Sequence, residues 1–515
     1  MVSNETAIKG RKYSSWRQNT EPPCEVALSS ALEQDMQRLD EELWISGSKL
    51  KDIVKRFREE LEEGLQKEGQ NISMNVTWVH SLPRGDETGE YLTLDLGGTN
   101  LRVCKVTLHG ASSTSPSTKS SLDQEKYSIP DSLKTGTADD LWTYIAEKLA
   151  DFVKSKGLDR EYTTQNPMPL GFTFSYPATQ DRIDHAILQT WTKGFDIKGV
   201  EGEDVASQLR EKMEERNLPV ELVCVINDTV GAMIASAYND PETIIGAIFG
   251  TGCNAAYMSS ISKIKKLPPP QNDPRLRTKA ENGQAKIDKS DEKMAINCEY
   301  GAFDNARKIL PLTKYDETID AESPRPGEQA FEKLSAGLYL GEIFRLILVD
   351  LQARGLIFSS ASTSSSPLHT PYILDTGDLS AIENDVSPDL NTIRTTLKQK
   401  LNLNATRQEA EVARAIAQMV ATRGARLCAC GIAAICGMEG ISKGHVAADG
   451  SVANKHPSFK QRWATALGEV LGWRERGEGV GDREDPIVIT SAEDGSGVGC
   501  AIIAAMEMAR RKEKS

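Results

Sequence analysis

The chain has 515 residues, 39% hydrophobic and 26% charged, which is enough for two or three packed domains with real cores. Its 61 Lys and Arg stand against 74 Asp and Glu, a net charge of -13, which excludes an overall electrostatic footprint for a nucleic-acid backbone. No run of eighteen apolar residues occurs, and the first thirty hold no apolar signal core, so the expectation is a cytoplasmic chain that meets no membrane.

Residues 1–24 are polar and aperiodic and read as a disordered tail. Apolar residues at 28, 32, 36, 39 and 43, then at 50, 53, 54, 57, 61 and 65, predict two amphipathic helices, the second capped by Ser48. From Tyr91 the period becomes two: Leu92, Leu94 and Leu96, then Gly97-Gly98-Thr99-Asn100, then Leu101 and Val103 on to Leu108. This strand, glycine turn and strand return about 150 residues later as 244–249, Gly250-Thr251-Gly252-Cys253-Asn254 and 255–258. Between the copies lie a helix near 138–155, a strand ending at Phe174-Ser175 and the apolar run 222–226. A helical pattern at 328–350, an apolar region at 411–438 and a final helix from about 498 to 511 follow, an alternation that predicts an α/β fold. Segments 111–122, 262–293 and 359–366 read as surface insertions that bury no core.

The nine cysteines lie mostly in apolar stretches with no CxxC spacing, and read as core thiols. The six histidines are scattered and no HExxH occurs, so zinc is not expected.

Asp95 stands among leucines where a core would take Val or Ile, and a double glycine follows it. Glycines let backbone N–H groups approach a ligand and cradle phosphate oxygens, while the carboxylate offers a hard oxygen to Mg²⁺ or its waters. Arg102 adds a compensating charge, and Gly250-Thr251-Gly252 supplies a second turn, so two hairpins facing across a cleft can hold a triphosphate without a Walker A sequence. Gly495-Ser496-Gly497-Val498-Gly499 reads as a loop and helix N-terminus near the nucleotide. Asn227-Asp228 closes the run 222–226; alone it would cap a helix, but a strand's carboxyl end is also where α/β folds place ligands. Lys193 alone would be a surface lysine.

Taken together, LDLGGTNLR at 94–102, GFTFSYPATQ at 171–180, QTWTKGF at 189–195, INDTVGAMI at 226–234, IFGTGCNAAY at 248–257, INCEYGAFDN at 296–305, PGEQAFEKL at 326–334 and AADGSVANKHPSF at 447–459 resemble the eukaryotic hexokinases, most closely the fungal glucokinases, over about residues 75–510. The resemblance implies two α/β lobes of the actin-like ATPase (ribonuclease H-like) type around a hinged cleft, where Mg-ATP phosphorylates the 6-hydroxyl of glucose, with mannose or fructose as further sugars. It implies N-terminal helices at 25–82 packed on the large lobe, a small lobe at 83–224 completed by helix 498–511, and a large lobe at 225–497, in a monomer or homodimer. Ser175, Thr192, Lys193, Asn227, Asp228, Asn254, Glu299 and Glu332 match sugar-binding positions; Asp228 matches the general base, with Lys193 and Arg102 stabilising the moving phosphoryl group. Asp95, Gly97, Gly98, Thr99, Asn100 and Arg102 match the first phosphate loop, Asp95 facing Mg²⁺ through water. Gly250, Thr251 and Gly252 match the second loop, and Gly337, Thr376 and Ser451 positions near the nucleotide.

Three departures stand out: Arg84 where the family has Thr, Leu338 where animal relatives carry Lys, and Tyr176-Pro177-Ala178-Thr179, which resembles the glucokinase branch and favours glucose over fructose. A sugar sensor without turnover is the alternative, since fold does not fix function. An actin-like filament or chaperone ATPase would share the turns but not need the TWTKGF and EYGAFDN segments.

Overall fold

In the computed structural model, residues 27–98, 100–112, 119–267, 292–359, 366–473, 485–492 and 495–513 are described; Thr99, the tail 1–24 and most of the segments 262–293 and 359–366 lie outside them. Helices α1 (Ser30–Leu43) and α2 (Gly47–Gln66) each open on a serine whose hydroxyl accepts a backbone N–H: Ser29 from Leu32 and Ser46 from Lys49. The cap of α2 is thus Ser46 rather than Ser48, because Ser46 has the extended backbone a cap requires, while Ser48 is already inside the helix.

The chain continues through β1 (Asn75–Val76), β2 (Thr88–Leu96), β3 (Asn100–His109), β4 (Ser120–Ser128), α3 (Ala138–Ser155), β5 (Met168–Phe174), β6 (Ala178–Thr179), β7 (Ile187–Leu188), α4 (Val205–Glu215) and β8 (Val220–Ile226). Next come α5 (Asp228–Asn239), β9 (Thr243–Phe249), β10 (Cys253–Ser260), β11 (Lys293–Asn297), α6 (Lys314–Glu322), α7 (Ala330–Ser335), α8 (Gly337–Ala353), α9 (Thr376–Glu383), α10 (Asn391–Leu401) and α11 (Arg407–Glu439). The described chain closes with β12 (Gly444–Asp449), α12 (Ser451–Lys455), α13 (Phe459–Leu471), β13 (Ile487–Ser491) and α14 (Gly495–Lys512).

Two large sheets organise these elements, in the orders β4-β3-β2-β5-β8 and β1-β11-β10-β9-β12-β13, while β6 and β7 pair separately. In each, a glycine hairpin (β2/β3 or β9/β10) pairs antiparallel, a third antiparallel strand extends it, and two later strands add in parallel on the other side. The repeat in the sequence is therefore a repeat of topology. It is the two-lobed α/β architecture expected above, with β1 added at the edge of the second sheet. Helices α1 and α2 pack on α11, beside the second sheet.

The last helix belongs to the first sheet: α14 packs on β2, β5 and β8, and crosses α5. At that crossing a Cβ on Gly499 would lie 2.0 Å from the Gly231 carbonyl oxygen, so both helix backbones touch and only glycine fits. Helix α11 carries an eighteen-residue stretch of mean hydropathy 1.4, and 89% of that stretch is buried inside the protein, so it serves as a core helix. The cysteines at 104, 224, 253, 298, 428, 430, 436 and 500 are all buried, and burial pushes the Cys430 and Cys436 thiols up to about 12.

Four sequence boundaries shift. Residues 120–122 of the first surface segment belong to β4, where cross-strand pairing overrides a Ser-rich composition. Ile264, at the start of the second segment, is a core residue with 3% exposure. The pattern at 328–350 is two helices, broken at Ala336 by an extended backbone (φ −84°, ψ 150°). The final helix begins at Gly495, since its first turn is glycine-rich and carries no apolar period to announce it.

Candidate active site

Register places the first acid and base opposite one another: Asp95 on β2 pairs with Arg102 on β3. Arg102 Nε donates to Asp95 Oδ2 at 3.0 Å, and the guanidinium makes a second contact to the same oxygen. Ser496, in the first turn of α14, donates to Asp95 Oδ2 at 2.7 Å and accepts from Arg102 at 2.7 Å. Asp95 is therefore fixed from both sides. In the turn itself the Gly97 N–H donates to the Asn100 carbonyl at 3.0 Å.

Lys193 reaches this turn from the loop after β7. It has a left-handed backbone (φ 58°), and a Cβ on Gly98 would lie 3.1 Å from its own Cβ, so the glycine gives the lysine room. Lys193 Nζ donates to the Ser175 carbonyl at 2.7 Å, stands 5.3 Å from the Tyr176 ring centre, and lies 3.9 Å from Asp228 Oδ2. Thr192 beside it is half-buried. Burial, with the charges of Asp228 and Asp95, holds the Tyr176 hydroxyl well above its ordinary range, and it donates to the Gly97 carbonyl at 3.2 Å.

The structure shows the cap that the sequence offered for Asn227-Asp228. Asn227 caps α5, its Oδ1 accepting from the Thr229 N–H at 3.0 Å, while its Nδ2 donates to Glu299 Oε1 at 3.4 Å. Asp228 Oδ1 accepts from the Thr229 N–H at 2.9 Å. Asn254, just after the second turn, accepts the Glu299 N–H at 2.9 Å and donates to Glu299 Oε1 at 3.2 Å. Glu299 has a left-handed backbone (φ 56°, ψ 46°), a conformation that a non-glycine residue keeps only where neighbours hold it. Burial, above all, pushes its carboxyl up to about 7; Asp228 and Glu332 add to the rise and Asn297 and Lys193 oppose it. Burial likewise raises the Glu332 carboxyl, whose Oε2 accepts the Cys253 N–H at 3.1 Å.

Sequence reasoning missed the residue that ties this set together. Asn297, at the end of β11 and 3% exposed, donates to Glu299 Oε1 at 2.7 Å and accepts from Asn254 Nδ2 at 2.8 Å and Thr229 Oγ1 at 3.1 Å. Its signal was an amide two residues before Glu299 within a segment read only for the glutamate. Ser496 was also missed as a partner of Asp95. Asn75, Thr77, Gln180, Asn227 and Asn297 line a small cavity directly behind the group.

The second turn assembles the other half. Gly250 N–H donates to the Gly252 carbonyl at 3.1 Å, and the Gly250 carbonyl accepts the Gly337 N–H at 2.7 Å. Thr376 at the start of α9 donates to the Gly337 carbonyl, and Gly450, with φ 110°, backs onto Gly250 at a distance where a Cβ on Gly250 would meet its Cα at 3.1 Å. Thr251 and Ser451 are exposed beside this knot, with Leu338 next to them at 42% exposure. Gly337, Thr376 and Ser451 thus gather around the second glycine turn, while Arg84 is exposed in the loop before β2.

Three carboxylates (Asp228, Glu299 and Glu332), three amides (Asn227, Asn254 and Asn297) and Lys193 are thus gathered beside the two glycine turns. Residues 35–238 and 244–506 match two family profiles, each described as hexokinase. The chain belongs to the hexokinase family. A hexokinase of Emericella nidulans is 48% identical over 95% of this chain and 95% of its own length. Hexokinase-1 of Saccharomyces cerevisiae is 44% identical, with 94% of each chain covered. A glucokinase of Aspergillus niger is 35% identical over 95% of this chain and 100% of its own length. Among solved structures, a Schistosoma mansoni hexokinase complexed with glucose superposes with a TM-score of 0.77 at 33% identity, covering 92% of this chain and 98% of that one. Membership of the hexokinase family rests on the full length, whereas the leaning toward glucokinase rested on Tyr176–Thr179; overall identity is higher to these two hexokinases than to this glucokinase.

Proposed function

We propose that the cleft transfers the γ-phosphoryl group of ATP to the 6-hydroxyl of glucose, giving glucose 6-phosphate and ADP. The observation that carries this reading is the meeting of Lys193 and Asp228 at 3.9 Å, which sets a cation for phosphate beside a carboxylate for a proton. Asp228 takes the proton of the 6-hydroxyl as that oxygen attacks phosphorus in line. Lys193, Arg102 and the N–H groups of the two glycine turns stabilise the charge on the phosphoryl oxygens. Asn227, Asn254, Glu299, Glu332, Ser175 and Thr192 exchange hydrogen bonds with the sugar rim, and an epimer that leaves one of these polar groups unpaired is rejected. Asp95 fits Mg²⁺, being a hard oxygen donor already locked by Arg102 and Ser496, and the ion would supply charge neutralisation at the phosphates. Mannose and fructose are read as further acceptors, their ranking set by the same polar rim.

The test is ATP-dependent phosphorylation of glucose, mannose and fructose with Mg²⁺, beside Asp228→Asn, which keeps an oxygen for the Thr229 N–H. The variant is expected to lose about 10²- to 10⁴-fold in kcat while binding glucose. Wild-type protein that binds glucose without transferring phosphate would replace this reading with that of a sugar sensor.

A further inference from the structure

Glu201, in the loop between β7 and α4, lies outside the site described above, yet one of its oxygens gathers three donors. Oε1 accepts from the Trp191 N–H at 2.5 Å, from Thr190 Oγ1 at 3.2 Å and from Arg325 at 3.1 Å. The first two bonds fix the backbone just ahead of Thr192 and Lys193. The third crosses the molecule, because Arg325 belongs to the loop between α6 and α7, on the side of the second sheet. Its backbone is pinned in turn: the Arg325 carbonyl accepts from Lys333 Nζ at 2.9 Å, and Lys333, buried to 4% exposure, also donates to Asp320 at 2.7 Å and Ser323 at 2.9 Å. Lys333 is the neighbour of Glu332. Each end of the ion pair is therefore anchored to a segment that carries sugar-facing residues, one from each side of the cleft.

We propose that Glu201 and Arg325 form a latch that positions the Thr192–Lys193 loop against the Glu332 segment and holds the cleft around the bound sugar. The inference rests on the hexose-kinase reading, since the latch acts through Lys193 and Glu332. Both side chains are 41% exposed, so the pair is screened by salt and contributes modestly. A modest, screenable contact suits a closure that must reopen on every turnover.

The experiment measures glucose affinity twice, as KM in turnover and as Kd from the tryptophan fluorescence of ATP-free protein, at low and at physiological ionic strength. Variants are Arg325→Gln, Arg325→Lys, Glu201→Gln, which keeps an acceptor for the Trp191 N–H, and the Gln/Gln double variant. Arg325→Gln and Glu201→Gln are expected to raise glucose KM and Kd about two- to five-fold at low salt. Their kcat and ATP KM stay within about two-fold, the double variant is no worse than either single one, and Arg325→Lys restores most of the affinity. The salt dependence of glucose affinity disappears with the pair. Arg325 also lies 3.8 Å from Glu328, and the Glu201→Gln arm separates that local contact from the latch. Wild-type glucose affinity in Arg325→Gln at low salt, or a salt dependence that survives in it, overturns the latch and leaves the kinase reading intact. Binding of glucose with no phosphate transfer by the wild-type protein overturns the kinase reading instead, and the Kd arm still decides the latch.

Discussion

Ser496 donates to Asp95 Oδ2 at 2.7 Å across 401 positions of sequence, and this single hydroxyl joins the last helix to the first glycine turn. Because it also accepts from Arg102, its loss leaves the guanidinium and carboxylate to settle their geometry between themselves. Ser496→Ala is expected to lower kcat and raise the KM for ATP by about ten-fold, the worth of one hydrogen bond to a charged group, while glucose affinity holds. Ser496→Thr keeps the hydroxyl and is expected to recover most of the rate. Steady-state kinetics with each substrate varied in turn gives the split.

Glu299 makes the protein's pH behaviour predictable in sign. Its carboxyl is raised to about 7 in the fold against about 4.3 in an unfolded chain, so the folded state binds more protons between those values. This contribution to stability is present below the lower value and is lost as pH rises through the folded one. Without sugar, Glu299→Gln is expected to melt higher than the parent protein at pH 8, the gap shrinking as pH falls toward 5. With the sugar-rim role proposed for Glu299, sugar hydroxyls would donate to the ionised carboxylate, so glucose affinity of the parent is expected to rise with pH up to about 7 and then level off. Thermal melts and glucose titrations over that range check both; an unchanged gap from pH 5 to 8 would remove Glu299 as the cause.

Asn297 orients both Asn254 and Glu299, and its removal leaves each of them short of a buried partner. Asn297→Ala is expected to raise glucose KM by about ten- to a hundred-fold, with a smaller effect on ATP KM, following the penalty of unsatisfied buried polar groups. A variant whose glucose KM stays within about two-fold of the parent's would show that the two side chains hold themselves in place.

Gly499→Ala tests packing apart from chemistry. Its Cβ would sit 2.0 Å from the Gly231 carbonyl, backbone against backbone, where no rotamer change relieves the clash. Forcing α14 and α5 apart is expected to destabilise the protein by about 3 kcal/mol or more, read as a lowered denaturation midpoint. By contrast the atoms nearest a Cβ on Gly98 are those of the Lys193 side chain, which can shift, so Gly98→Ala is expected to fold normally and to lose rate.

What the sequence made legible was whatever chemistry lies in short contiguous segments. The two glycine hairpins, the Asn227-Asp228 cap and the helices α1, α2 and α3 are written as local periodicity and turn residues. The pairing of Asp95 with Arg102 is nearly as local, since hairpin register fixes it. Ser496 was not legible as a partner of Asp95 because 401 positions separate the two, although its glycine-rich neighbours were read as a helix N-terminus. The break at Ala336 was hidden for another reason: apolar residues on both sides keep the helical period, and only the approach of Gly337 to the Gly250 carbonyl demands the interruption. Asn297 was concealed by Glu299, whose charge drew the reading of the same segment.

The placement of α14 has a consequence for synthesis. Strands β2, β3, β5 and β8 leave the ribosome early, but the helix that covers them is made last among the described elements, after the whole second sheet. The first sheet therefore waits, with one apolar face bare, until α14 emerges, and a nascent chain in this condition is a natural client for chaperones.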